Sequence, residues 1–346
     1  MPGMDLGIDL GTCQIVIYAS DRGVVLCEPS VIAIDAADGH LIACGTEAYQ
    51  MIGRTPDSIL VVQPLRKGVI SEYDYAEQML RYFIRKVCSY KIIKPRAAVS
   101  IPASVTEVEQ RSVWEAVSAS GIRHVTLIEE AVAAAIGAGL DISAPHGSLV
   151  VDIGGGTTDV AVMTLQGVAT SSSIRLGGND VDEAIIRFVR ARYNMVIGSL
   201  MAETIKKQIG RAVPTEENAV MRMRGRDALT GLPRTQEISS LDVDEAITDV
   251  MTDILAAVQK VLENTPPELI SDILDGGIHL TGGMALLQGL EKRLEAQTGI
   301  ACRVAENPEH CVAIGAGKVL RYTNKLHSGV YDVGQFAYHL SDSLDI

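Results

Sequence analysis

The sequence predicts an α/β protein built as two similar lobes with a ligand cleft between them. Three observations carry this expectation. At 346 residues the chain is longer than one ordinary hydrophobic core. The stretch "LGIDLGTCQIVIY" (Leu6 to Tyr18) is echoed by "LVVDIGGGTTDVAVM" (Leu149 to Met163). Both run apolar strand, aspartate, apolar residue, glycine turn, apolar strand, so Asp9 aligns with Asp152 and Gly11 with Gly154. Finally, strand and helix signals alternate through both halves, the pattern of mixed-sheet α/β folds.

The elements follow in order. Each half opens with a hairpin made by the repeated stretch. "VIAIDAADGHLIACG" predicts a second hairpin turning at Asp38-Gly39, and a helix is expected from about Tyr75 to Cys88. "AAVSIP" is a short strand ended by Pro102. "TEVEQRSVWEAVSASG" is a helix capped by Thr106 and stopped at Gly121. "HVTLI" is a strand running into the helix "EEAVAAAIGAGL". After the second hairpin, Ile185, Ile186 and Val189 recur at helical spacing in "DVDEAIIRFVRARYN". "GIHLTGG" reads as a strand entering a glycine turn, followed directly by one helix, "MALLQGLEKRLEAQTG".

Hydrophobic residues make up 47% and charged residues 21%, the balance of a chain that folds around an apolar core. Asp plus Glu number 43 against 30 Lys plus Arg, a net charge of -13, so no direct nucleic-acid binding is expected. Cys13, Cys27, Cys44, Cys88, Cys302 and Cys311 form no C-x-x-C pair and read as reduced thiols. The opening "MPGMDLGIDLG" lacks the pattern of a signal peptide, and no run of about 18 apolar residues occurs. A cytoplasmic protein is expected.

Three glycine turns each follow an apolar strand: Gly11-Thr12, Gly154 to Thr158, and Gly282-Gly283. Without a Cβ, backbone N–H groups can approach phosphate oxygens closely. The third turn is expected to open a helix, whose N-terminus favours an anion or a polar ligand edge. No G-x-x-x-x-G-K-[ST] occurs, and no turn fits G-x-G-x-x-G followed by a distant acid. The remaining arrangement is two opposed hairpins with Asp9 and Asp152 at their mouths. Carboxylates beside phosphates repel them unless a hard cation lies between, and hydrated Mg²⁺ meets that need. A nucleoside triphosphate with Mg²⁺ is the economical ligand.

These residues resemble the actin, Hsp70 and sugar-kinase superfamily. "EPSVIAID", "MIGRTPD", "PLRKGVI", "TSSSIRLGG", "RGRDALTGLPR", "TPPELISDI" and "VAENPEHCVAIGAG" narrow the resemblance to the MreB/Mbl family of bacterial actins, up to about Leu320. The resemblance implies an actin-like fold of two ribonuclease H-like lobes. Residues 1–32, 66–144 and 315–346 would form the first core and 33–65 its small subdomain. Residues 145–181 and 243–314 would form the second core and 182–242 its small subdomain. It implies an ATPase that polymerises into filaments, lies peripherally on the inner face of the cytoplasmic membrane, and works with the cell-wall elongation machinery in rod shape.

Carried over by residue, Thr12, Cys13 and Gln14 occupy the first phosphate loop, where the family usually has Thr-Ala-Asn. Gly155, Gly156 and Thr157 match the second loop. Glu203, Thr204, Ile205 and Lys206 match the helix that contacts ribose and adenine. Gly283, Met284, Ala285 and Leu286 match the adenosine turn, with Met284 in place of a usual glycine. Glu130 matches the glutamate that positions the attacking water, followed by Ala131 instead of the usual proline. With Thr157 it is the expected catalytic pair, while Asp9 and Asp152 hold hydrated Mg²⁺. Glu129 is expected to serve the helix dipole. "SYKIIKPR" places Ile92 and Ile93 among bases, which suits an anionic bilayer surface or, equally, a buried strand approach.

Three other readings stay open from sequence. A filament-forming homologue with marginal hydrolysis and another positioning role fits the departures at Cys13, Gln14 and Met284. A small-molecule kinase would need a second substrate. A chaperone ATPase is disfavoured because little chain remains before Ile346 for a peptide-binding domain.

Overall fold

The computed structural model describes residues 4–88, 95–213, 218–321, 326 and 328–332. Ile92 and Ile93 lie outside them. The chain begins with the meander β1 (Asp5–Leu10), β2 (Gln14–Ala19) and β3 (Gly23–Pro29). A small unit follows: β4 (Ile32–Asp35), β5 (Leu41–Cys44), α1 (Thr46–Met51) and β6 (Ile59–Val62). The hairpin of β7 (Leu65–Arg66) and β8 (Val69–Ile70) leads back to α2 (Tyr73–Cys88) and β9 (Arg96–Ile101). In α2, Ala76, Met79, Leu80, Phe83 and Ile84 recur at helical spacing and are buried, which is why that face seats on the sheet. Next come α3 (Glu107–Ala119), β10 (His124–Glu129) and α4 (Glu130–Gly137). As expected, Thr106 caps α3, and its partner Glu109 completes a capping box.

The second half repeats the plan with β11 (Ser148–Ile153), β12 (Thr158–Thr164) and β13 (Gly167–Ile174). Its own small unit contains α5 (Gly178–Tyr193), β14 (Met195–Val196), α6 (Ser199–Ile209), β15 (Val220–Asp227) and β16 (Pro233–Ser239). Then come α7 (Ser240–Glu263), α8 (Pro267–Gly276), β17 (Ile278–Thr281), α9 (Leu290–Thr298), β18 (Cys302–Val304), α10 (Cys311–Val319) and β19 (Val330–Asp332). The sequence places one helix from Met284 to Gly299; the structure breaks it. Gly283–Leu286 is a single 3-10 turn, and Gly289, left-handed at φ 81°, separates it from α9. The third glycine turn therefore opens a 3-10 turn rather than an α-helix.

The two main sheets share one topology. The first runs β19-β10-β9-β1-β2-β3 and the second β13-β12-β11-β17-β18. In each, a three-stranded antiparallel meander joins two parallel strands beside its first strand. The helices between them are exchanged: α4, which follows the first sheet, packs on β11 and β12, while α10 packs on β1 and β9. They meet through glycines. A Cβ at Gly137 would lie 1.8 Å from the Cys311 carbonyl oxygen, and one at Gly315 1.8 Å from that of Ala133. Ala131 to Ile136, Val312, Ala316 and Val319 form an apolar layer between the sheets. This layer brings the two hairpin turns to one cleft.

Candidate functional site

The hairpin turns face each other across the cleft. In the strands that carry them, Asp9 pairs with Val16 and Asp152 with Asp159, so each aspartate stands one residue before its strand ends. The first turn carries side chains and the second is nearly bare. A Cβ on Gly155 would sit 2.2 Å from Cys13 Sγ, and one on Gly156 2.4 Å from Thr12 Oγ1 and 2.9 Å from Lys67 Cα. The side chains of one turn thus occupy space left by the glycines of the other. Thr12 Oγ1 also accepts the Gly68 N–H at 2.9 Å, which ties the β7–β8 turn to the first hairpin. Lys67 takes a left-handed φ of 49° in that turn.

Four carboxyl groups converge behind the turns. Ser100 Oγ donates to Asp9 Oδ1 at 3.2 Å, and Thr281 Oγ1 donates to Asp152 Oδ1 at 2.7 Å. Glu130, buried at the start of α4, accepts Thr157 Oγ1 at 3.1 Å. Asp159, also buried, accepts the Ala103 N–H at 3.1 Å while its other oxygen has no hydrogen bond. Burial pushes Asp9 up to about 7, partly offset by Ser100. Asp152 rises to about 8 through burial, against the Thr281 bond and with the charges of Asp9 and Asp159 adding. Burial, then Asp159, Asp9 and Asp152, hold Glu130 far above the usual carboxylate range. Asp159 rises less, to about 6, because the Ala103 N–H offsets its burial.

Buried carboxyls with raised pKa values fit a divalent cation, which would relieve their mutual repulsion. Among the described residues no group of three or more His, Cys, Asp or Glu side chains is placed to ligate a metal. A cation here would take most of its ligands from water and phosphate, as Mg²⁺ does.

Beyond the turns the cleft opens to about 730 Å3. Asp9, Thr12, Cys13, Gln14, Glu130, Asp152, Gly155, Gly156, Thr157, Glu203, Lys206, Gly283, Met284 and Leu286 all line it. Thr204, Ile205 and Ala285, also expected at the site, do not line it. On α6, positions three apart share a face, so Glu203 and Lys206 reach the cleft together. Thr204 Oγ1 turns back to its own helix at Leu200 O, Ile205 is fully buried in the core, and Ala285 is buried beneath the 3-10 turn. Lys206 Nζ is held at 2.8 Å by both Gly178 O and Asp182 Oδ2. The Met284 thioether closes over Gly178, 3.3 Å from where a Cβ would stand. Glu129 stands at the N-terminal cap position of α4, where its side chain makes no capping bond and accepts the Tyr331 hydroxyl at 2.8 Å.

Several residues at the site were not singled out from sequence. Asp159 had a signal, a charge inside an otherwise apolar strand. So did Asp182, which stands on the same helical face as Ile185 and Val189. Lys67 lay in a turn between short strands. Tyr49 had no local signal; its hydroxyl reaches Glu203 Oε2 from a position 154 residues away.

The chain matches the family described as MreB/Mbl protein over residues 3–328. It is 44% identical over 323 residues to the cell shape-determining protein Mbl of Bacillus subtilis, covering 93% of this chain and 97% of that one. It is 47% identical over 331 residues to the cell shape-determining protein MreB of Escherichia coli, covering 94% and 95%. Among solved structures, MreB5 of Spiroplasma citri bound to AMPPNP superposes with a TM-score of 0.88 at 35% identity, covering 94% of this chain and 98% of that chain. The MamK double helical filament shares the fold with a TM-score of 0.80 at 20% identity, covering 92% and 99%. The fold is actin-like, and the chain belongs to the MreB/Mbl family.

Proposed function

We propose that this member of the MreB/Mbl family is an ATP-dependent bacterial actin that assembles into filaments and serves cell shape. The observation that carries the reading is the cleft itself: two matched hairpins, each with an aspartate behind its turn, facing a buried Glu130–Thr157 pair. The relatives named for cell shape and the AMPPNP-bound neighbour support it. Membrane attachment and contact with the wall-synthesis machinery belong to the same proposal, as does the division into residues 1–32, 66–144 and 315–346 with 33–65, and 145–181 and 243–314 with 182–242.

In this reading the backbone N–H groups at Thr12 to Gln14 and Gly155 to Thr157 hold the β- and γ-phosphates. Asp9 and Asp152 would hold hydrated Mg²⁺, which supplies charge neutralisation when bound. Phosphoryl transfer to water asks mainly for positioning and electrostatics. Glu130, held through Thr157, orients the attacking water. Glu203 and Lys206 border the nucleoside end, with Met284 closing one side.

The test is paired. Purified protein should pellet at high speed with Mg-ATP and stay in solution with Mg-ADP or no nucleotide. Glu130→Gln should lower phosphate release by about 10²-fold or more, the loss expected when a group that positions the nucleophile is removed, while still binding ATP. Unchanged release would remove Glu130 from the mechanism. Turnover that appears only when a small-molecule acceptor is added would instead indicate a kinase.

A further inference from the structure

We propose that Tyr49 is a gate for nucleotide exchange, acting through Glu203 across the mouth of the cleft. The inference rests on the nucleotide reading above and names a control of that same site.

Three contacts join the lobes along the front of the cleft. The Cys13 thiol donates to Asn179 Oδ1 at 2.9 Å beside the turns. Lys67 Nζ meets Asp180 Oδ1 at 3.2 Å. The third pairs the Tyr49 hydroxyl with Glu203 Oε2. Tyr49, Ile52 and Gln63 from the first half and Ser199, Glu203 and Lys207 from the second all line the cleft, and the Tyr49–Glu203 bond joins α1 to α6 across it.

Both partners are held for this contact. The Tyr49 ring packs with Ile52, Ile59 and Val61 on the cluster of Val31, Ala33 and Ala48, which fixes where its hydroxyl points. Lys207 Nζ holds the other Glu203 oxygen at 2.6 Å. Burial raises the Glu203 carboxyl, but Lys207 and Tyr49 outweigh it and leave it below the usual range, so it stays an anion and a strong acceptor. Lys67 is largely exposed, which makes its ion pair with Asp180 the weaker tie. Glu203 also lines the site, so one carboxylate both closes the mouth and borders the ligand. Release then requires the Tyr49 bond to open first.

The test follows release of a fluorescent ADP analogue chased with excess ADP, in wild type and Tyr49→Phe. The substitution keeps the ring in its cluster and removes only the hydroxyl. Release should quicken by about tenfold, the factor for losing one hydrogen bond to a charged acceptor, and association should quicken with it, because the same bond closes the nucleotide-free cleft. Amide hydrogen exchange of the nucleotide-free protein should rise in α1 and α6 together. Glu203→Gln, which keeps an acceptor oxygen, should release more slowly than Tyr49→Phe. Wild-type binding with equal release in Tyr49→Phe overturns the gate and leaves the nucleotide reading intact. Faster release without the exchange change in α1 and α6 also overturns it, since the hydroxyl would then act on the ligand directly. No binding of the analogue by wild type removes the nucleotide reading and the gate with it.

Discussion

The two hairpins share strand register, the place of the aspartate and the surrounding sheet order, yet their turns are built oppositely. The first turn presents Thr12, Cys13 and Gln14; the second presents Gly154, Gly155 and Gly156. Cys13 and Thr12 stand where side chains on Gly155 and Gly156 would have to go. The glycines of the second turn therefore answer two demands, close approach by a ligand and close approach by the first turn. The aspartates differ as well. Asp152 is buried and held by a short bond from Thr281, whereas Asp9 is half-buried, opens to the cleft and takes a longer bond from Ser100.

The largest expected effect breaks the packing of the turns. Gly155→Ala should destabilise the protein by about 1–3 kcal/mol through overpacking against Cys13. Cys13→Gly in the same chain should recover most of that loss in a double-mutant cycle followed by urea unfolding. An equal loss in both backgrounds would mean that the turns are not coupled through this contact. Gly11→Ala offers a contrast, because its Cβ would lie 2.6 Å from Gln14 O within its own turn. No change in the second hairpin should rescue it.

A smaller effect separates the aspartates by pH. Both have folded pKa values above the unfolded 3.8, so the folded state holds protons that the unfolded state has lost. Their contribution to stability is complete below the unfolded value and disappears as pH rises through about 7 for Asp9 and about 8 for Asp152. Without nucleotide or divalent cation, Tm should fall across this range. Asp152→Asn should flatten the fall more than Asp9→Asn, as read by thermal melts at a series of pH values. The reverse order would show that Asp9, not Asp152, carries the greater burial cost.

The smallest effect compares the supports. Thr281→Ala should cost about 1 kcal/mol or somewhat more, the usual worth of one buried hydrogen bond. Ser100→Ala should cost less, since its bond to Asp9 is longer. Chemical denaturation of the two variants checks the order.

Much of this was legible in the sequence because it depends on near neighbours. The repeat of strand, aspartate and glycine turn located both hairpins, and the Thr106 start of α3 could be read because a cap acts within a single turn. Periodicity likewise marked α2, whose buried face follows its apolar spacing. The stretch from Met284 to Gly299 misled for a related reason: its composition suits a helix, but the left-handed backbone at Gly289 interrupts it.

By itself, then, the sequence determined the two-lobed α/β plan, the family resemblance and the glycine turns that line the cleft. Those features arise from local periodicity, turn chemistry and short motifs. Only the tertiary structure decided that α4 and α10 exchange sheets, that Cys13 fills the space beside Gly155, and that Tyr49 meets Glu203. Each of these is a contact between residues far apart in the chain, and no local pattern encodes which distant surface a side chain will find. Thr204, Ile205 and Ala285 make the same point within two motifs: the match named the segments, but helix rotation and burial chose which of their residues face the cleft.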